Sequence, residues 1–412
     1  MDFGELKNIL KEKTQERIDF RRDFTDEEVS DIINEVMLES LEVPLLNIRE
    51  RRRLHKEIFD SLRRLDILQS FVDDPSVTEI MINGMDHVFV EQKGALREID
   101  EKFESADKLR DVIQQIVSGC NRVVNEASPI VDARLSNGAR VNVVMNPIAI
   151  NGPIVTIRRF PDKPITMDGL ITGGSITAEA AEFLKILVVA KYNIFISGGT
   201  GSGKTTFLNV LSGFIPGDER VITIEDSAEL QLQGISNLVR LETRNSNSEG
   251  CSEVTIRDLI RTSLRMRPDR IIVGEVRGAE SWDMVQSLNT GHDGSMSTGH
   301  ANSAKDMLSR LENMVLMGAD IPLEAIKKQI ASGLDIIVHL GRLRDKSRKV
   351  MEISEVVGYE NGEIITKELF GFVETGTSLE GRVLGALQRK GKLKETGKLR
   401  CAGLSPSDLG EG

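Results

Sequence analysis

The residues most able to do chemistry are Ser197, Gly198, Gly199, Thr200, Gly201, Ser202, Gly203, Lys204, Thr205 and Thr206. From Gly198 to Thr205 they match G-x-x-x-x-G-K-[ST]. The apolar segment Asn193–Ile196 before them reads as a buried strand, and Phe207–Leu211 after them as the start of a helix. Glycines let successive backbone N–H groups converge on phosphate oxygens, and the helix N-terminus adds partial positive charge. Lys204 is placed to reach β- and γ-phosphates, and Thr205 to ligate magnesium. A ligand-free glycine turn would not need both flanking elements.

Phosphate chemistry needs acidic groups opposite the loop. Glu225-Asp226 follows the apolar run Val221–Ile224, and Glu275 follows Ile271–Val273. A carboxylate at a strand's carboxyl end can face magnesium or an attacking water. A Walker B strand usually ends in aspartate then glutamate, but here Gly274 holds the first place. Glu225 is therefore the preferred general base, with Glu275 second, and magnesium falls chiefly to Thr205, the phosphates and water. His300 is either a satisfied structural histidine or a group that hydrogen-bonds the γ-phosphate. His292 and His300 lack the further ligands a metal site needs. Of the arginines before the loop, Arg140 and Arg158 or Arg159 are placed to meet a γ-phosphate from a separate domain. The alternative is local pairing with carboxylates such as Asp132.

The elements that must position these groups follow from pattern. Residues 1–70 are charged and helical: Thr25-Asp-Glu-Glu28 caps a helix carrying Val29, Ile32, Ile33, Val36 and Met37, and Pro44 breaks it. A second helix is expected from about Arg49 to Gln69, and its basic run from Arg49 to Arg53 is a solvated face or an acidic partner's dock. Residues 71–164 read as an α+β domain: strands at 77–82 and 88–90, a third after Gly94, a helix over 105–119, and strands at 140–144 and 154–158. Pro161, Pro164, Gly169, Gly173 and Gly174 mark a linker, 165–174. Over 175–372 helix and strand alternate, which predicts an α/β domain with a mainly parallel sheet covered by helices. Residues 373–412 are expected to form a small appendage or a partly disordered tail.

The 412 residues carry a net charge of −11, which argues against bulk nucleic-acid binding. Cys120, Cys251 and Cys401 are scattered, so neither a zinc site nor a disulfide framework is expected. The most apolar stretch, 183–196, is too short to span a bilayer and is broken by lysines. A cytoplasmic protein is expected, meeting membranes only through partners.

The sequence closely resembles the ATPases of type II and type IV secretion machines, and within them the Tad/Flp pilus assembly ATPases (CpaF-like). The resemblance is carried by Ser128–Leu135, Thr156–Phe160, the glycine loop, Ile224–Leu230, Leu264–Arg277, Asn289–Gly294 and His300–Ser303. It runs from roughly 65 to 372. It implies an N-terminal domain over a RecA-like ATPase domain, a homo-hexameric ring, ATP and Mg2+ between the domains, and a platform protein in the inner membrane as partner. It places Glu225 in an Asp box, Gly274-Glu275 in an unusual Walker B, and His292 with His300 in a His box. Gly299 stands where bulkier residues are common in relatives. The leading expectation is an ATP-hydrolysing motor, peripheral at the inner face of the cell membrane. The alternatives are a DNA translocase of the conjugation type, opposed by the acidic balance, and a nucleotide-gated scaffold without turnover, opposed by intact Lys204, Glu225 and Glu275.

Overall fold

The computed structural model describes residues 3–410 except 19–21, 23, 42, 44–45, 93–94, 121, 136, 160–164 and 245–251. Pro44, Gly94, Phe160, Pro161, Pro164 and Cys251 therefore lie outside the described residues. The chain divides into two compact units, residues 1–163 and 164–412.

The first unit opens with helices α1 (Phe3–Arg17), α2 (Asp26–Glu39) and α3 (Ile48–Arg63). Thr25 and Glu28 form a reciprocal capping box, and Asn47 with Glu50 forms a second, so four backbone donors are met locally. Leu6, Leu10, Val29, Ile33, Leu54 and Ile58 close a core of their own. The second helix ends at Arg63, short of the expected Gln69, and a turn with Asp66 at φ 54° separates it from α4 (Gln69–Asp73).

Strands β1 (Val77–Asn83), β2 (His87–Gln92) and β3 (Ala95–Glu98) follow. Helix α5 (Ala106–Ser118) precedes β4 (Ile130–Arg134), β5 (Arg140–Val144) and β6 (Ile154–Arg158). They form an antiparallel sheet in the order β3-β2-β1-β6-β5-β4. Leu109, Val112, Ile113 and Ile116 of α5 cover its apolar face. Register puts Arg134 opposite Arg140, Arg140 opposite Arg158, and Arg158 opposite Glu79. Directly paired residues share a face, so three arginines lie in one row.

The second unit runs α6 (Met167–Thr172), α7 (Ala178–Val189), β7 (Ile194–Gly198), α8 (Lys204–Ser212), β8 (Arg220–Glu225), β9 (Asn237–Glu242), α9 (Ile256–Ser263), β10 (Arg270–Val273), α10 (Glu280–Leu288) and β11 (Met296–His300). It continues with α11 (Ala304–Gly318), α12 (Leu323–Gly333), β12 (Ile336–Arg342), β13 (Arg348–Glu360), β14 (Glu363–Thr377), β15 (Val383–Arg389) and α13 (Gly397–Cys401). Part of the expected linker is thus helix α6.

Among the described residues the sheet has nine strands, ordered β15-β14-β13-β12-β7-β11-β10-β8-β9. From β12 to β9 every pairing is parallel. From β12 to β15 every pairing is antiparallel. The expected mainly parallel sheet is therefore mixed: hairpins, needing no crossover helix, extend one edge. Two apolar layers cover the two faces.

Of the two expectations for residues 373–412, the described residues form an appendage packed on the sheet rather than a partly disordered tail. β14 continues to Thr377, β15 pairs with it, and Leu393, Leu399 and Leu409 are buried in the core. Glu355, itself buried, accepts the backbone N–H groups of Lys394 and Glu395, and Tyr192 donates its hydroxyl to the Glu395 carbonyl at 2.6 Å. Lys398 Nζ lies 2.6 Å from Asp335 and 2.7 Å from Asp293. These contacts escape a reading by apolar content because few, widely spaced leucines carry them. No described helix is long and apolar enough to cross a membrane.

Candidate active site

The loop between β7 and α8 takes the shape its glycines predict. Gly201 (φ 71°) and Gly203 (φ 96°) are left-handed, a conformation that costs glycine little and other residues more. Lys204 opens α8 and is almost wholly buried. Its ammonium donates to the Gly199 carbonyl at 3.1 Å and the Gly198 carbonyl at 3.2 Å. Burial pulls its pKa down, partly offset by Glu275.

β11 lies beside β7 with His300 in register with Gly198, so a histidine at the end of one strand faces the loop at the end of the next. Lys204 Nζ is 3.2 Å from His300 Nδ1. His300 Nε2 in turn lies 2.8 Å from Glu275 Oε1. That approach is off the line of a hydrogen bond, so the buried Oε1 has no hydrogen-bond partner among the described residues. The other oxygen, Oε2, accepts from Arg277 at 2.9 Å. Desolvation, then the Lys204 charge, lowers the His300 pKa, so the ring is neutral near pH 7. A lysine, a neutral histidine and a carboxylate thus run in contact along the carboxyl ends of β7, β11 and β10.

Glu225 ends β8, one strand further out. Its Oε1 accepts the N–H groups of Glu229 (2.8 Å) and Leu230 (2.9 Å), which shapes the loop after the strand. Its Oε2 is buried with no hydrogen-bond partner among the described residues. Burial pushes this carboxyl up to about 7, against the downward pull of the two N–H groups. A Cβ at position 274 would meet Glu225 Cγ at 2.9 Å. Gly274 is therefore glycine because the Glu225 side chain fills the space that a Walker B aspartate would need. Gly299 has a similar cause: a Cβ there would meet the Phe195 ring at 3.0 Å and Met307 Cε at 3.1 Å.

His292 does not join His300. It lies before β11 begins, at the opposite end of the strand, with Nδ1 3.3 Å from Thr290 Oγ1. Eight residues apart in sequence, the two histidines sit at opposite poles of the sheet. Arg140 and Arg158 are cross-strand neighbours in the first unit. Arg159 donates to the Asp74 carbonyl at 2.6 Å. Asp132 accepts from Asn142 at 3.1 Å.

Two cations over the loop had no signal in the motif. Arg348, the first residue of β13, donates Nε to the Gly201 carbonyl at 2.9 Å. Arg342, the last of β12, comes within 3.8 Å of where a Cβ on Gly201 would lie. Both belong to a hairpin more than a hundred residues from the loop, and only sheet order brings them there.

Loop, lysine and opposed carboxylates on an α/β scaffold define a P-loop site for the phosphates of a nucleotide. The chain belongs to the family of type II/IV secretion system proteins, whose model matches residues 62–378. A Mycobacterium tuberculosis protein named for conjugal transfer is 35% identical over 296 residues, covering 70% of this chain and 83% of that protein. The conjugal transfer protein TrbB of Rhizobium radiobacter is 32% identical over 331 residues, covering 78% of this chain and 96% of its own length. The ATPase DotB of Yersinia pseudotuberculosis superposes with a TM-score of 0.53 over 73% of this chain and 80% of that one, at 16% identity, which shows a shared fold.

Proposed function

We propose that the chain is an ATP-hydrolysing subunit of a secretion or pilus machine, working as a homo-hexamer of the Tad/Flp type. The observation that carries this is the contact line Lys204–His300–Glu275, which joins the phosphate-binding lysine through a histidine to the carboxylate that follows β10. Lys204 offsets charge on the β- and γ-phosphates. Glu225, held near pKa 7, suits a general base for the attacking water. Glu275 is the second carboxylate, and His300 reports on the γ-phosphate through its neutral ring. ATP and water give ADP and phosphate.

Magnesium fits the donor set. Hard oxygen donors suit it, and Thr205 offers a hydroxyl while Glu275 Oε1 makes no hydrogen bond among the described residues. Among the described residues no group of three or more His, Cys, Asp or Glu is arranged to hold a metal, so the phosphates and water would complete the shell. Bound there, the ion would neutralise phosphate charge.

Arg140 and Arg158 are proposed to meet the γ-phosphate and couple its presence to domain movement. Their support is position: Arg140 and Arg158 are directly paired across β5 and β6 and so lie side by side on one face of the sheet. The test is ATP turnover and nucleotide affinity of the full chain. Arg140→Ala and Arg158→Ala should still bind ATP but hydrolyse it poorly; turnover at the wild-type rate in both would sink their role. Co-purification from membranes would identify the platform protein and place the protein at the inner face of the membrane.

The names of two relatives favour a second reading, a motor for conjugal transfer. Stimulation of hydrolysis by DNA separates the two: the pilus reading expects none.

A further inference from the structure

Beside the P-loop, away from Lys204 and His300, lies a cavity of about 330 Å³. One wall is Gly203, Thr206 and Phe207, from the loop and the first turn of α8; the facing wall is Arg348 and Lys349, and Leu170 of α6 closes a side. Neither Lys204, His300 nor Glu275 lines it. Those three face the end of the site where the terminal phosphate reacts. The cavity therefore flanks the other end, where the first phosphate and the nucleoside of a bound nucleotide must lie.

We propose that Arg348 is a nucleotide-binding residue of this site, acting from the same unit as the P-loop and serving the α-phosphate and sugar end. The proposal rests on the ATP reading above. Arg348 spends Nε on the Gly201 carbonyl, at 2.9 Å, and so grips the loop at a left-handed glycine. Its Cδ lies 3.5 Å from where a Cβ on Gly203 would stand. The guanidinium keeps four further N–H donors, in a planar fork suited to phosphate oxygens.

The arm carrying Arg348 is braced. In the turn between β12 and β13, Leu343 N–H donates to the Ser347 carbonyl at 2.8 Å. Asp345 accepts the Ser347 N–H (2.9 Å) and hydroxyl (2.6 Å), and also the Val383 N–H at 2.8 Å. Those bonds, the Ser347 hydroxyl first, hold its carboxyl down to about 2. Arg344 donates to Glu374 at 2.9 Å and to Thr377 Oγ1 at 2.8 Å. β14 and β15 thus fix the turn from which Arg348 reaches the loop. The segment that sequence alone reads as a tail becomes the support of a nucleotide contact.

The experiment is equilibrium binding of ADP and of a non-hydrolysable ATP analogue to the full chain, in wild type, Arg348→Ala and Asp345→Asn. A contact at the α-phosphate end is common to both nucleotides. Arg348→Ala should weaken both by the same factor, roughly tenfold, as one charge-assisted bond at an exposed site implies. Asp345→Asn should weaken both in the same ratio but less. Weakening of the ATP analogue alone would move Arg348 to the γ-phosphate and overturn the proposal, as would unchanged affinity for both. A wild-type chain that binds neither nucleotide would overturn the parent reading together with this one; wild-type binding with unchanged Arg348→Ala overturns this one only.

Discussion

The two poles of the parallel strands in the second unit are both crowded with polar groups, and they differ in how those groups are met. At the amino end, Asn193 donates Nδ2 to the Gly333 carbonyl and accepts the N–H groups of Gly294 and Ser295. Its own N–H goes to Asp335, which also takes Lys398. At the carboxyl end, Glu225 Oε2, Glu275 Oε1 and Ser202 Oγ are buried without a hydrogen-bond partner among the described residues. An unmet buried polar atom costs about 1–3 kcal/mol. Ser297 Oγ and Thr223 Oγ1, inside β11 and β8, are also unmet among the described residues, but the two carboxylate oxygens in that state both lie at the carboxyl pole. In the function proposed above, the amino pole is structural and the carboxyl pole is the site.

The largest effect should come from the carboxyl pole. Lys204→Ala removes the loop's own charge aimed at the reacting phosphates, and steady-state ATP turnover should drop by roughly 10³-fold or more. Hydrolysis near the wild-type rate would break the contrast at once. Next are the two carboxylates. Glu225→Gln should keep ATP binding and lose turnover by about 10²-fold or more if it moves the water's proton. If Glu275→Gln is the inactive variant and Glu225→Gln is active, the orphaned oxygens keep their importance but exchange roles.

Stability should respond to the amino pole instead. Leu399→Ala, at a fully buried side chain, should cost about 2–4 kcal/mol in denaturant unfolding while turnover per folded molecule is kept. A loss below about 0.5 kcal/mol would mean that the last segment is not part of the core.

The smallest effect is a pH slope. Between the ordinary value of 4.5 and about 7, the folded chain keeps a proton on Glu225 that the unfolded chain has released. Its contribution is present below 4.5, is lost as pH rises through about 7, and is constant above. Glu225→Gln should flatten this slope and add up to about 3 kcal/mol at pH 8. An unchanged slope would show that Glu225 is not proton-loaded in the folded state.

The P-loop was legible because its chemistry is local: glycines, lysine and the following helix are contiguous. Glu225 and Glu275 were legible because each ends an apolar run. Their division of labour was not, since it depends on strand order: β11 places His300 between the loop and Glu275, while β8 leaves Glu225 against Gly274. His292 was grouped with His300 by a pattern along the chain, and a strand of five residues carries the second to the far pole. Arg342 and Arg348 could not be read at all, because an antiparallel hairpin brings them back over a loop far away in sequence. The choice between an appendage and a disordered tail was open for a different reason: buried backbone N–H groups meeting Glu355 leave no mark on hydropathy.

The two histidines test the contrast most directly, because they are the same residue type in one short stretch. The measurement is steady-state ATP hydrolysis by the full chain carrying His300→Asn or His292→Asn, with unfolding followed in parallel. The account predicts that His300→Asn loses turnover by about tenfold or more through the site beside Lys204, while His292→Asn keeps turnover within about twofold. Equal losses, or a loss confined to His292→Asn, would contradict it.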